Sequence, residues 1–207
     1  MKKILICIFL CSCIAANAQD DSGVSIIEKI KRANAECSSI TSDFSQIKHV
    51  SFMNEDVASS GKFFYSKPDR LCMKYDEPAG DIMLINKDQL VMIAAGKYSK
   101  ASTKSSSKAR RMKNILASCL QGDVSLIDGV TLSSEETADS YVITAKLNRR
   151  EKNGVVNKVV LNYDKSDLTL SVLRMEEPDG SYTVYKLTNK RLNQPVGDEV
   201  FKAPAKK

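Results

Sequence analysis

Residues 60–93, SGKFFYSKPDRLCMKYDEPAGDIMLINKDQLVMI, carry apolar side chains in both parities of a two-residue alternation. Phe63 and Tyr65 stand against Phe64. Leu71, Met73 and Tyr75 follow, and Ile82, Met83, Leu84 and Ile85 run unbroken. Between the runs stand Lys67-Pro68-Asp69, Glu77-Pro78-Ala79-Gly80 and Asn86-Lys87-Asp88, all turn chemistry. Short strands at this spacing predict an antiparallel meander. Strands apolar on both faces need cover on both faces.

Upstream, Ile26, Ile27, Ile30, Ala33 and Cys37 recur at steps of three and four, which predicts an amphipathic helix over 24–40 with Ser22 as its N-cap. From Thr41 the period changes to two. Phe44, Gln46, Lys48 and Val50 predict a strand reaching Phe52, a polar turn at Asn54-Glu55-Asp56, and a second strand over 57–65. Residues 99–111 hold Lys100, Lys104, Lys108, Arg110 and Arg111 among serines and read as a mobile basic loop. Met112, Ile115, Leu116, Cys119 and Leu120 then form a narrow stripe on a short helix, closed at Gln121-Gly122.

Beyond an Asp128-Gly129 turn the period of two returns: Tyr141, Ile143, Ala145 and Leu147, an Asn153-Gly154 hairpin signal, then Val159, Leu161 and Tyr163, then Leu168, Leu170 and Val172. Asp179-Gly180 turns into a strand over 181–188, and the tail from Asn193 reads as extended. About ten strands and two helices make a mainly β, α+β chain. A sheet of that size must twist and curl, and two amphipathic helices are available to cover its concave face.

The N-terminus changes the picture of where the chain works. Met1-Lys2-Lys3, an apolar run over 4–16 and the small-x-small site Ala16-Asn17-Ala18 predict a secretory signal peptide over 1–18, cleaved before Gln19. Residues 19–207 then form one domain. Two alternatives stay open: a lipidated Cys13 after the lipobox-like Leu10-Cys11-Ser12-Cys13, and an uncleaved anchor, for which the apolar run is short. Of six cysteines, Cys7, Cys11 and Cys13 leave with the leader. The odd number left, Cys37, Cys72 and Cys119, makes no disulfide framework. Either one bridge forms, with Cys37 to Cys119 the candidate pair, or all three are small buried hydrophobes.

Candidate chemistry is sparse. The one histidine, His49, sits on a half-polar strand and reads as a rim residue. There is no GxSxG, P-loop, GxGxxG or metal-ligand spacing. Glu135-Glu136 and Glu176-Glu177 are strand neighbours pointing to opposite faces, so neither is an acid/base dyad. The basic stretch lacks the interleaved aromatics of a nucleic-acid surface. No cofactor is implied and the residues point away from an enzyme. What remains is an interior of Leu, Ile, Met and Phe. Met73, Met83, Met92 and Met112 are soft contacts suited to a varied apolar ligand, or part of an ordinary core.

Phe44-Ser45-Gln46, then the run from Gly61 through Lys67-Pro68-Asp69 to Tyr75, then 81–93, and finally Phe201-Lys202-Ala203-Pro204 together resemble the periplasmic lipoprotein carrier family LolA, in order and spacing over nearly the whole mature chain. The resemblance implies an unclosed antiparallel β-barrel, with helices as a lid over a hydrophobic cavity. It implies a monomeric carrier in the periplasm of a Gram-negative bacterium. Its partners would be acylated lipoproteins, an inner-membrane lipoprotein-release transporter and, as a further candidate, an outer-membrane acceptor. The family's functional basic residue before the proline falls on Lys67, where many members have arginine; tryptophan, usual in the hairpin, is absent. A periplasmic lipid- or peptide-binding accessory protein of the same fold is the alternative.

On this reading the cavity is lined by Leu71, Met73, Tyr75, Met83 and Ile85 from the sheet and by Met112, Ile115, Leu116 and Leu120 from the lid. Both parities of β-strand 82–85 are apolar, so Ile82 and Leu84 are equal candidates for Met83 and Ile85. Lys67 is either a latch reaching helix carbonyls near Cys119 to Gln121 or a solvated lysine beside a turn.

Overall fold

The computed structural model describes residues 21–127, 129–148 and 156–205, with side chains from Ile26 onward. Helix α1 (Asp21–Ala35) leads into six strands: β1 (Ser39–His49), β2 (Val57–Ser66), β3 (Arg70–Glu77), β4 (Ile82–Asn86), β5 (Gln89–Ala94) and β6 (Lys97–Ser102). Helix α2 (Ser107–Gln121) precedes β7 (Val130–Glu136), β8 (Ser140–Leu147), β9 (Lys158–Asp164), β10 (Leu170–Glu176) and β11 (Tyr182–Leu192). All eleven described strands belong to one sheet, in the order β6-β5-β4-β3-β2-β1-β11-β10-β9-β8-β7. Every neighbour is antiparallel. Two meanders meet where β1 pairs with β11, and β6 and β7 are left as edges, so the barrel is unclosed.

Register settles which parity faces inward. Tyr65 pairs with Leu71 and Leu71 with Ile85; Phe63 pairs with Met73 and Met73 with Met83. These residues share one face, since cross-strand partners project to the same side of a sheet. They join the principal core with Ile115, Leu116, Cys119 and Leu120 of α2 and Ile30 of α1. The opposite parity, Cys72, Leu84 and Val91, forms a second cluster around Phe201, flanked by Phe64, Ile82, Tyr98, Val196 and Val200. That is why residues 60–93 are apolar on both sides. The inner face is roofed by helices, and the outer face is covered by the chain's own C-terminal segment. The tail is not wholly extended: Asp198–Phe201 is a 3₁₀ turn. Arg70 stacks on Phe201 at 4.7 Å and pairs with Asp198 at 2.6 Å, and Asn86 Nδ2 donates to the Phe201 carbonyl at 2.9 Å.

The structure departs from the sequence reading in four further places. Helix α1 stops at Ala35 rather than 40, because Ile40 is taken into β1 opposite Tyr65 and Leu192, where it is fully buried. Strand β1 ends at His49, leaving Phe52 84% exposed on the following loop. Residues 99–111 are not a loop. Their first part pairs along β5 as β6, which backbone hydrogen bonding accomplishes without apolar side chains. Ser106 then caps α2, its side chain accepting from Ala109 N at 3.2 Å. In β10 a register shift between Leu170 and Val172 changes the parity, so Leu173 and Met175 face the core where Val172 was expected.

Cys37, Cys72 and Cys119 are free and buried, so the candidate bridge does not form. Burial pushes the Cys72 thiol up to about 11 and the Cys119 thiol to about 12, as expected where a thiolate would lose its hydration. Ser22 lies within α1 rather than at its N-cap, since the helix already includes Asp21; the leader over 1–18, the Cys13 alternative, Asp128 and the Asn153-Gly154 hairpin lie outside the described residues.

Candidate functional site

A curled sheet lined by alternating apolar residues leaves space where its opposed walls diverge, and α2 lies across that space. The result is a cavity of about 360 Å³, within the range of roughly 300–1,000 Å³ usual for small-molecule sites. One wall comes from β2–β6, with Phe63, Leu71, Met73, Met83, Leu90, Met92, Ser99 and Ala101. The facing wall comes from β10 and β11, with Leu170, Leu173, Met175, Glu177, Thr183, Tyr185 and Leu187, joined by Val156. Helix α2 supplies the roof through Ala109, Met112, Leu116 and Leu120, with Ser106 and Lys108 at its start. Lys108 and Glu177 are the charged lining residues; the rest is apolar or carries a hydroxyl.

Of the residues expected from sequence, Leu71, Met73, Met83, Met112, Leu116 and Leu120 border the cavity. Tyr75, Ile85 and Ile115 do not; they pack in the core beside it. The β10–β11 wall was not anticipated. Thr183, Tyr185 and Leu187 share one parity, a signal visible in the chain, whereas the β10 bulge hid Leu173 and Met175. Met175 joins Met73, Met83, Met92 and Met112, so five of the chain's seven methionines border the cavity. Met73, Met83 and Met92 are cross-strand partners in sequence, a row of flexible thioethers across β3, β4 and β5.

Tyr75 has another task. Its ring meets Phe44 edge-on, with centroids 5.0 Å apart, and its hydroxyl donates to Gln46 Oε1 at 2.8 Å. Tyr185 tilts against the same Phe44 ring, with centroids 6.5 Å apart. Burial pushes the hydroxyls of both tyrosines up, so they remain protonated donors. Gly61 opposite Tyr75 must be glycine, since a Cβ there would lie 2.0 Å from the Lys74 carbonyl oxygen.

Both helices are fastened at one turn. Lys67 Nζ donates to the carbonyls of Asn34 and Ala35, at 2.7 and 2.6 Å, in the last turn of α1. Gln121 Nε2, at the end of α2, donates to the Pro68 carbonyl at 2.9 Å. Lys113 Nζ on α2 meets Asp69 Oδ2 at 2.9 Å and the Lys87 carbonyl at 2.7 Å. The carbonyls that Lys67 finds are therefore those of α1, not those near Cys119 to Gln121. Two of the α2 carbonyls are already occupied: Tyr163 donates to Cys119 O at 2.7 Å, and the left-handed Gly122 and the following Asp123 cap Cys119 and Ser118. An ammonium has three donors, so lysine can serve two carbonyls at once without the fork of an arginine. The helices touch at Gly122, where a Cβ would lie 3.0–3.1 Å from Ile30 and Asn34 of α1. Asn34 in turn ties α1 to the β9–β10 turn, donating to Leu168 O at 2.7 Å.

The family model described as outer membrane lipoprotein carrier protein LolA matches residues 35–204. No curated protein matches the chain. Among solved structures, a DUF1329 family protein from Desulfovibrio piger ATCC 29098 is similar at 15% identity, with 88% of this chain and 96% of that one covered and a TM-score of 0.52. An uncharacterized conserved protein from Thermus thermophilus is similar at 7% identity, 87% and 93% coverage and a TM-score of 0.52. The MucA/MucB complex structure of Pseudomonas aeruginosa is similar at 9% identity and a TM-score of 0.50, with 88% of this chain and 61% of that chain covered. At these identities the likeness is one of fold.

Proposed function

The chain belongs to the LolA family of outer membrane lipoprotein carrier proteins, and from that membership we propose that it is a periplasmic carrier whose cavity takes the acyl chains of lipoproteins. The observation that carries the reading is the apolar chamber itself, roofed by an amphipathic helix whose apolar face packs into the core and whose polar side is tied to the Pro68–Asp69 turn. Leu71, Met73, Met83, Met112, Leu116 and Leu120 are the acyl contacts, and the methionine row lets the wall follow chains of differing shape. A carrier needs no turnover chemistry. It needs a donor, an inner-membrane release transporter, and a destination at the outer membrane with or without a dedicated acceptor. Export through the leader at 1–18 puts the protein between the two.

Mass spectrometry of the protein purified from the periplasm is expected to find diacylglyceryl-modified peptide or lipoprotein bound to it. A preparation that carries no acylated species, and takes none up when mixed with a triacylated peptide, would sink the reading. The second reading, an accessory protein that binds lipid or a peptide without transport, draws on the fold shared with MucB, whose solved complex holds MucA. The two part on transfer: a carrier passes a labelled lipoprotein to acceptor membranes, and an accessory protein keeps it.

Lys67 is the latch of this device. Orphan carbonyls at a helix C-terminus carry the negative end of its dipole and favour a cation. Hydrogen bonds to a charged group contribute on the order of 1.5–3 kcal/mol, and half-exposure puts this one at the low end. Lys67→Met is expected to speed amide exchange in the last turn of α1 and to lower stability by roughly 1–2 kcal/mol. Unchanged exchange in α1 together with unchanged cargo transfer would show that Lys67 holds nothing shut.

A further inference from the structure

Lys97, Lys100, Lys104, Lys108, Arg110 and Arg111 fall within residues 97–111, where no acidic residue occurs. The whole chain has 31 lysines and arginines against 25 aspartates and glutamates, a net charge of +6. Outside this segment the charges balance, so one stretch of fifteen residues holds the entire excess. The fold makes it one continuous edge. Lys97 and Lys100 lie on β6, the free edge of the sheet. Ser106 N donates to Ser102 O at 2.8 Å, turning the chain directly from β6 into α2, whose first turns carry Lys108, Arg110 and Arg111. Lys97, Lys100, Lys108 and Arg110 are exposed, and Lys104 meets Asp88 at 2.9 Å in an exposed pair.

Lysines on a free edge strand have an ordinary explanation, since they discourage edge-to-edge pairing. The cations on α2 do not. A helix N-terminus is the positive pole and favours acidic residues, yet the first turn of α2 has none. A local arrangement set against stability points to a function. The segment also borders the cavity: Ser99, Ala101, Ser106 and Lys108 line it, and neighbouring Met92 lines it while 41% exposed. Apolar chamber and cationic rim therefore adjoin. An acidic protein would satisfy the cations alone. A bilayer with anionic headgroups satisfies both, with phosphates at the rim and acyl chains a short distance from the chamber.

We propose that the free β6 edge and the first turns of α2 form a docking surface for membranes bearing anionic phospholipids. It rests on the acyl-binding reading and adds to it the place where the chamber meets the bilayer. Each cation near such a surface strengthens binding roughly fivefold, and salt screens the attraction.

The test is vesicle flotation of the purified protein. It is expected to bind vesicles of phosphatidylglycerol and phosphatidylcholine in equal parts, to bind less as salt rises, and not to bind phosphatidylcholine alone. The triple variant Lys97→Gln, Lys100→Gln, Arg110→Gln should bind roughly a hundredfold more weakly. A control with the same net charge, Lys146→Gln, Lys186→Gln, Lys202→Gln, should bind as the unaltered protein does. Equal loss in the control would reduce the effect to net charge and overturn the proposal. So would equal binding to neutral vesicles, or undiminished binding by the first variant. Uptake of a triacylated peptide in vesicle-free solution separates the two ideas. The first variant should take it up normally, and impaired uptake would place these cations in the chamber instead. If the unaltered protein docks through this edge but takes up no acylated peptide, docking stands and the carrier reading falls.

Discussion

Leu71→Glu abolishes acyl-chain binding, by more than about a hundredfold, if the chamber is the site. Leu71 is 4% exposed, lies in register between Tyr65 and Ile85, and borders the cavity on its β3 wall. A carboxylate there must either remain charged among apolar groups or take up a proton, and each outcome opposes an acyl chain beside it. Replacing a buried leucine also costs stability, about 2–5 kcal/mol, so folding must be verified by circular dichroism before binding is measured. Met112→Glu is the companion variant. Met112 borders the same chamber from the roof and is only partly buried, so its substitution disturbs the fold less. Two well-folded variants that bind a triacylated peptide as the parent does would show that acyl chains lie elsewhere.

The second large effect is on the other face of the same strands. Phe201→Ala should destabilise the protein by about 3–5 kcal/mol, the cost of emptying a fully buried aromatic site. Phe201 is 1% exposed and covers Cys72, Leu84 and Val91 on the convex side. Its removal also strips the Arg70 guanidinium of the ring it stacks on. Acyl binding, measured where the variant is still folded, should be unaltered, because the chamber lies across the sheet. Urea unfolding gives the number. A change below about 1 kcal/mol, the size of an ordinary surface substitution, would mean that the C-terminal segment does not cover this face.

A carrier of the proposed kind has to reconcile an apolar chamber with release. Here the roof, α2, is held by its apolar face in the core and by polar contacts to Pro68 and Asp69, whereas the walls are a continuous hydrogen-bonded sheet.

Much of this was legible in the chain. A period of two broken by Pro, Gly and Asn turns can only be a meander, and eleven described strands must curl. Apolar residues in both parities of 60–93 required two covers. The stripe Met112, Leu116 and Leu120 marked one roof. What no local pattern carries is the identity of the partner surfaces. Ile82 and Leu84 equal Met83 and Ile85 in hydrophobicity, and only the register across β3–β4 separates inner from outer face. That Phe201, far away in sequence, is the second cover follows from where the tail returns. Basic and serine-rich, 99–111 resembled a loop because edge pairing and an N-cap draw on backbone and hydroxyl groups, which leave no apolar periodicity. The β10 bulge reverses parity by one inserted residue, invisible to alternation. Lys67 was legible as a latch candidate from its place before Pro68, but not its acceptors. Those depended on where the end of α1 comes to lie against the Lys67–Pro68 turn, a placement that exists only once the chain is folded.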